Sequence, residues 1–210
     1  APITAKFGML VILTYGFIAI FAPFLTPYSE TEIVGPEFDV WGNEFILGTD
    51  GLGRDMLTRL LFGARNTVGI AFITTLLAFV IGGIMGLLSA IYTGWFDQVA
   101  SRVVDVLMAI PQLIFALMLL TIFGTSIPIL IIVIATLDAT RIFRVTRAVS
   151  LNVVVLDYFE AARLRGERIF WLCIREILPN ITAPLLAEFG LRFCFVFLMI
   201  AALSFLGLGI

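Results

Sequence analysis

Long apolar runs dominate this chain and limit the folds that it can adopt. Of its 210 residues, 61% are hydrophobic and 13% are charged, and the mean hydropathy is +1.12. Soluble domains carry about 25% charged residues, so this composition does not suit a single water-exposed globule. A lipid bilayer, whose hydrocarbon core is about 30 Å thick, is the expected solvent. The net charge of −2 also argues against nucleic acid as a partner.

Five apolar segments are long enough, or nearly so, to cross a bilayer as helices. They are residues 7–25, 68–92, 105–123, 127–147 and 181–205. A turn-forming stretch at 124–128 separates the third from the fourth, and Asp138 and Arg141 interrupt the fourth. Since the unbroken backbone of a span must satisfy its own hydrogen bonds in lipid, the sequence predicts an all-α polytopic membrane protein with about five spans.

The distribution of charge predicts which side of the membrane each loop occupies. Residues 139–180 contain seven arginines, whereas residues 26–66 contain seven acidic residues and three arginines. Because basic loops stay in the cytosol, we expect a cytosolic N-terminus and a cytosolic loop at about residues 148–180. Residues 26–66 are then outside. Five spans leave Ile210 outside as well, and we expect a sixth span to be missing from the sequence.

The chain is therefore expected to have two parts, residues 1–66 with the first span and residues 67–210 with the core. The outer segment begins as an acidic loop with several glycines and prolines. Apolar residues then recur at helical spacing from Met56 to Leu61, which predicts a short amphipathic helix on the outer surface before the second span. The alternative is a hydrated connector.

The predicted cytosolic loop begins with residues that favour a short helix. Asp157 is expected to cap this helix, and Glu160 suits the positive end of the helix dipole. Ala161 and Ala162 favour a helix and have small side chains, so another protein surface can approach closely. Gly166 allows the chain to reverse direction.

A second short helix is expected over residues 168–177, ending at Pro179 because proline does not continue a helix. Two short helices joined at a glycine would form a rigid knob that a moving partner could displace. The alternative is a generic basic loop that only connects two spans.

Eight stretches of this chain have a distinctive sequence, at residues 47–55, 63–65, 94–97, 102–111, 144–147, 160–162, 177–180 and 203–209. The first reads Leu-Gly-Thr-Asp-Gly-Leu-Gly-Arg-Asp and the last reads Leu-Ser-Phe-Leu-Gly-Leu-Gly. Together they resemble the second permease subunit of the oligopeptide, dipeptide and nickel class of ABC importers, and the first and last are characteristic of that subfamily. The resemblance extends along nearly the whole chain.

This resemblance implies a type I ABC importer permease fold in a prokaryotic cytoplasmic (inner) membrane. The implied partners are a homologous second permease, two ATP-binding subunits and an extracytoplasmic solute-binding protein. ATP and magnesium would be held by the ATP-binding subunits, so this chain would be non-catalytic and hold no cofactor. It would carry peptides or similar small polar solutes. The residues implied to couple to the ATPase are Glu160, Ala161, Ala162, Gly166, Leu178 and Pro179.

Charged residues within the predicted spans are candidates for a transport pathway, because each is costly in lipid unless paired or hydrated. Glu188 and Arg192 lie four residues apart and can pair on one helix face, as can Asp138 with Arg141 at a spacing of three. Asp138, Glu188 and Arg192 would line a hydrated pathway and touch a polar solute. The alternative is a pair that neutralises itself and is buried against another subunit.

A self-contained, ion-coupled secondary transporter is the second class of function that the sequence allows, with Asp138, Glu188 and Arg192 as its ion-coupling groups. An enzyme is not favoured. The chain has no histidine, its two cysteines are far apart, and no metal-ligand spacing or phosphate-binding glycine loop occurs. Gly82, Gly83 and Gly86 are instead expected to form a small-residue face for helix packing.

Overall fold

The computed structural model describes residues 3–42 and 44–208, and this part of the chain is helical apart from its connecting segments. The helices are α1 (Ile3–Leu25), α2 (Met56–Ile91), α3 (Trp95–Ala109), α4 (Gln112–Phe123), α5 (Ile127–Val154), α6 (Asp157–Leu164), α7 (Ile169–Trp171) and α8 (Leu178–Phe205), with a π-helical segment, Leu172–Ile177, between α7 and α8. In the described ranges, strand-type pairing is limited to an isolated bridge between Thr49 and Asp55. The predicted all-α class is confirmed.

The chain forms two compact units that divide after Ile70. In the first unit, α1 exposes nearly all of its apolar side chains, as expected of a helix whose solvent is lipid. The predicted short amphipathic helix is not a separate element, because Met56 begins the 36-residue helix α2. The glycines in this stretch do not break the helix, and no proline lies between Met56 and Ile91.

The segment between α1 and α2 is organised around Asp50. Its carboxylate accepts hydrogen bonds from the backbone N–H groups of Leu52 and Arg54 and from the guanidinium groups of Arg54 and Arg59. The N–H of Arg54 and these other donors hold the pKa of Asp50 well below its usual range. Gly53 has a φ of 72°, and its α-carbon lies so close to Gly35 that a side chain would overlap the backbone.

Among the residues that the structure describes, three helical stretches are long and apolar enough to cross a membrane, namely Ile3–Leu25, Met56–Ile91 and Ile169–Phe205. The third predicted span is not one straight helix, because α3 and α4 meet at a bend of 89°. Ile110 is extended, with φ −91° and ψ 132°, as expected of a residue before proline, and Pro111 then begins the next helix. Counting this bent pair as one span gives four.

The fourth predicted span corresponds to α5, which is 28 residues long but carries Asp138, Arg141, Arg144 and Arg147. Its length is sufficient to cross a bilayer, at about 1.5 Å per residue. Many of its side chains, including Asp138, are nevertheless buried by the rest of the second unit. Protein neighbours therefore surround Asp138, whereas Arg144 on the same helix is exposed.

Glycines in α2 allow a close approach to α5. A β-carbon on Gly86 would lie 2.8 Å from Thr146 Cβ and 2.9 Å from the carbonyl oxygen of Phe143, and one on Gly82 would overlap the carbonyl oxygen of Ala139. The predicted small-residue face is confirmed at these two positions. Gly83 is different, since an added β-carbon there would meet nothing within 4 Å.

Pro179 does not end the helix that the sequence places over residues 168–177. The helical path runs without a gap through Ile169–Phe205, and Pro179 lies in the first turn of α8. In a regular α-helix the proline ring would clash with the carbonyl of Arg175. The π-helical segment Leu172–Ile177, in which the N–H of Leu178 donates to the carbonyl of Cys173, widens the helix just before this position.

Candidate functional site: the coupling helix and the buried charges

The predicted first helix of the cytosolic loop is α6, and local sequence explains both of its ends. Asp157 and Glu160 lie in the first turn, where negative charge is favourable. The prediction that Asp157 caps the helix is wrong: Leu156 occupies the N-cap position, and no side chain there makes a capping hydrogen bond. Asp157 is the first residue of the helix itself, so its carboxylate interacts favourably with the positive end of the helix dipole instead of capping it.

Gly166 ends α6 in the manner that its sequence position predicts. Its φ is 80°, its N–H donates to the carbonyl of Arg163, and the N–H of Glu167 donates to the carbonyl of Ala162. These two bonds form a Schellman motif, which requires a left-handed residue and therefore favours glycine. The chain reversal between α6 and α7 is a defined turn.

One face of α6 is packed firmly against its own chain. Phe159, which is 2% exposed, and Ala162 join a cluster of buried apolar side chains. The other members are Val153, Leu172, Ile177 and Ile181. Ala162 has no exposed surface, so its side chain packs inside its own chain rather than at the open face of α6, and its predicted part in coupling stays a prediction. Its small side chain instead allows α6 to lie close to α5 and α8.

The opposite face of α6 and its surroundings are open to solvent. Glu160, Ala161 and Gly166 are exposed, and so are Leu178 and Pro179 at the start of α8. The structure adds three apolar side chains that sequence reasoning missed, listed with their exposed fractions: Val155 at 77%, Leu164 at 81% and Phe170 at 76%. We call this set the coupling surface. Large apolar residues inside a strongly charged loop were the available signal.

Apolar side chains that are this exposed, in an otherwise charged segment, indicate a protein-contact surface rather than a hydrated loop. Arginines at positions 163, 165 and 168 lie on the same loop and are also exposed. An apolar centre with a charged rim is the usual composition of a protein interface.

The three predicted pathway residues lie together, but mostly inside the chain. Arg192 of α8 is 2.7 Å from Glu188 (Nε to Oε1) and 3.7 Å from Asp138 of α5 (Nη1 to Oδ1). Asp138 and Arg192 are buried, and Glu188 keeps a small exposed fraction. Arg192 also lies over the ring of Phe195, with 5.0 Å between the guanidinium carbon and the ring centre.

The hydrogen bonds of this charge group are incomplete. Asp138 Oδ2, Arg192 Nε and Arg192 Nη1 are buried without a hydrogen-bond partner, so the short approach to Glu188 is an ion pair with poor hydrogen-bond direction. Two carboxylates face one guanidinium. Asp138 pairs across helices with Arg192, so the prediction that it would pair with its neighbour Arg141 is not what the structure shows.

A second charge group joins three helices and was not predicted. Arg147 of α5 donates from Nε and Nη2 to the two carboxylate oxygens of Asp97, at the start of α3. Ser89 of α2, which is buried, donates to the same carboxylate. We call Ser89, Asp97 and Arg147 the polar junction. The sequence shows both charged residues, but not that they meet across 50 positions.

The architecture and these sites define a class: a helical membrane protein with buried charged residues and an exposed apolar surface around a loop helix. Residues 78–210 match the family described as "Binding-protein-dependent transport system inner membrane component", and the chain belongs to this family.

Curated relatives agree with this assignment. The chain is 34% identical to the "Dipeptide transport system permease protein DppC" of Haemophilus influenzae, over 98% of this chain and 72% of that protein. It is 34% identical to the "Di/tripeptide transport system permease protein DppC" of Pseudomonas aeruginosa, over 97% and 69%. It is 32% identical to the "Glutathione transport system permease protein GsiD" of Pectobacterium atrosepticum, over 96% and 67%.

The predicted ABC importer permease is therefore confirmed, and with it a multi-pass inner-membrane protein that works with other subunits. The alternative of a self-contained secondary transporter is not supported, because the family depends on a binding protein.

Proposed function

We propose that this chain pairs with a homologous second permease to form the pathway of an importer for short peptides or chemically similar small polar solutes. The printed names of its relatives, which specify dipeptides, di- and tripeptides and glutathione, support this class of solute. An extracytoplasmic solute-binding protein would deliver the solute, in keeping with the family description. The membrane lipid surrounds the outer faces of the spans.

The observation that carries the proposal is the coupling surface. Phe159 and Ala162 anchor α6 to α5 and α8, while Glu160, Ala161 and Leu164 remain exposed. An anchored helix with an exposed face can transmit a push, whereas a flexible loop would absorb it. We infer that one of two cytosolic ATP-binding subunits docks here, and the other docks on the second permease.

ATP and magnesium would be bound by those two subunits. This chain would supply the pathway, and its helix α6 would transmit the movement of the ATP-binding subunit. ATP binding favours one arrangement of the subunits, and its hydrolysis restores the other, so the pathway opens alternately to each side. The excess of arginine at residues 139–180 supports a cytosolic coupling surface and a cytosolic N-terminus.

Asp138, Glu188 and Arg192 are the proposed polar part of the pathway. Glu188 is the member with the larger accessible fraction, so it would meet the solute first. Asp138 and Arg192 lie behind it and would be reached only in a more open state. Their incomplete hydrogen bonds support a role in which a further polar group completes the set.

Cross-linking within the assembled importer tests the docking proposal. Cys173 and Cys194 are first replaced by serine, and Ala161→Cys or Phe205→Cys is then introduced; both positions are exposed, on α6 and at the end of α8. We expect a reagent with a thiol-reactive group at one end and a photoreactive group at the other to join Ala161→Cys to an ATP-binding subunit and to leave Phe205→Cys unjoined. The proposal fails if the product forms only from Phe205→Cys, or from neither position.

A further inference from the structure

The polar junction joins three helices through hydrogen bonds to one carboxylate. The guanidinium of Arg147 is bidentate on Asp97, with 2.5 Å between Nη2 and Oδ2. Ser89 adds a hydrogen bond of 2.5 Å from α2, and Ser101 lies 3.5 Å away on α3 itself. A bidentate arginine–carboxylate pair fixes orientation as well as distance. The ends of α2, α3 and α5 are thus connected at one point.

This junction lies close along the chain to the coupling helix. Arg147 is seven residues before the end of α5, and only two residues separate α5 from α6. Val153 of α5 packs in the same buried cluster as Phe159 of α6, and Leu156 is tied by its N–H to the carbonyl of Val153. The last two turns of α5 and α6 are therefore expected to move as one body.

Beyond the junction, α3 leads directly to a sharp bend. The pair α3 and α4 turns through 89° next to Pro111. Because α3 is 15 residues long and held to α5 at Asp97, a shift of α5 would be applied to one end of a short rigid helix. The bend at the other end is where such a shift could change the direction of α4.

We propose that Arg147 and Asp97 are positioning residues that transmit displacement of the coupling helix from α5 to α3 and α4. This inference rests on the proposed docking of an ATP-binding subunit at α6. The two-point contact resists rotation between α3 and α5, so the two helix ends move together. A single-point contact would allow the helices to turn about each other and would lose part of the displacement.

The chain provides a matched control on the same two helices. Arg144 of α5 lies 3.6 Å from Asp105 of α3, but this pair makes one long contact, and its side chains are 58% and 47% exposed. Exposed ion pairs of this kind contribute little. Replacing it changes the same charge types on the same helices without touching the polar junction.

The test uses the assembled importer with its companion subunits in proteoliposomes, with radiolabelled dialanine as the transported probe. ATP hydrolysis and dialanine uptake are measured together. Arg147→Lys keeps the positive charge but cannot make the bidentate contact of a guanidinium. For this variant we expect ATP hydrolysis to stay within about twofold and dialanine uptake per ATP to fall about tenfold. Arg147→Gln and Asp97→Asn should show the same separation.

Ser89→Ala, which removes only the third donor, should produce a smaller loss in the same direction and remains informative if the arginine variants do not assemble. Arg144→Gln and Asp105→Asn should leave uptake per ATP unchanged. The inference is overturned if uptake per ATP is unaltered in every junction variant, or falls as much in the two control variants.

The Ala161→Cys cross-link, measured in the same variants, separates the two proposals. A cross-link that persists in Arg147→Lys while uptake per ATP is unaltered defeats the positioning role alone. If Ala161→Cys forms no cross-link in the chain whose junction residues are unchanged, the docking proposal fails as well.

Discussion

The two charge groups on α5 differ in how completely their hydrogen bonds are made. At the polar junction, both carboxylate oxygens of Asp97 accept hydrogen bonds, from Arg147 and Ser89. The second group consists of Asp138, earlier on α5, and Arg192 of α8. These two residues are more deeply buried, but one carboxylate oxygen and two guanidinium nitrogens have no hydrogen-bond partner. The better-bonded group is the less buried one.

This difference separates two uses of charge in one helix bundle. A satisfied network stiffens the helices that it joins, whereas a buried group with unpaired atoms is costly until something completes it. The first arrangement suits transmission of movement. The second suits a position whose surroundings change during transport, through another subunit, water or the solute.

The largest expected effect comes from breaking the incomplete group. Arg192→Ala leaves Asp138 and Glu188 without their cation, so the free energy of unfolding should fall by about 3–5 kcal/mol, as for other broken buried ion pairs. Thermal unfolding of the purified chain in detergent measures this. An unfolding temperature equal to that of the unsubstituted chain would show that water already hydrates these charges.

The double variant Arg192→Ala with Glu188→Ala sharpens this comparison. It removes one of the two stranded carboxylates, so part of the lost stability should return. If uptake recovers together with stability, the residues only neutralise each other. If stability returns while dialanine uptake stays low, they have a role in the pathway.

A second test concerns the close contact between α2 and α5, which lies beside both charge groups. Gly82→Ala should lower stability by about 1–3 kcal/mol, because its methyl group would overlap the carbonyl oxygen of Ala139. Gly83→Ala is the matched control, since nothing lies within 4 Å of its added carbon. Equal unfolding temperatures for the two variants would contradict this helix contact.

A third test addresses the turn between α6 and α7. A side chain at Gly166 meets no neighbour within 4 Å, so Gly166→Val acts through the strained φ of 80°, at a cost of about 1–3 kcal/mol to the local turn. We expect the chain to insert and assemble while dialanine uptake per ATP falls. Normal uptake per ATP would count against the proposal that α6 transmits movement. Gly190→Ala, in open space within α8, serves as the control.

The smallest effect is expected at the hydrogen-bonded carboxylate of Asp50. Its folded-state pKa lies below the ordinary value of 3.8, so the stabilisation is present above that pH and is lost only as the pH falls further. Hydrogen exchange of residues 33–42, corrected for intrinsic rate, should therefore be the same at pH 8 and pH 5. Increased exchange at pH 5 would show that another group controls this segment. Asp50→Asn at pH 7 should loosen it.

Local sequence determined the elements of this protein because turns and helices depend on residues only a few positions apart. The apolar runs indicated membrane helices, Gly166 indicated the chain reversal, and the acidic first turn indicated α6. The bend at Pro111 was not predicted, because residues 105–123 read as one continuous apolar run. The composition and motifs were also sufficient to identify the permease class.

Tertiary structure decided which side chains meet and which remain open. Ala161 and Ala162 are identical neighbours in sequence, yet one is exposed and the other is buried, because only the latter faces α5 and α8. Asp97 and Arg147 meet across 50 positions, and Asp138 meets Arg192 across 54. Partner choice between helices depends on their packing angles and distances, and those follow from the whole folded chain rather than from any short stretch of sequence.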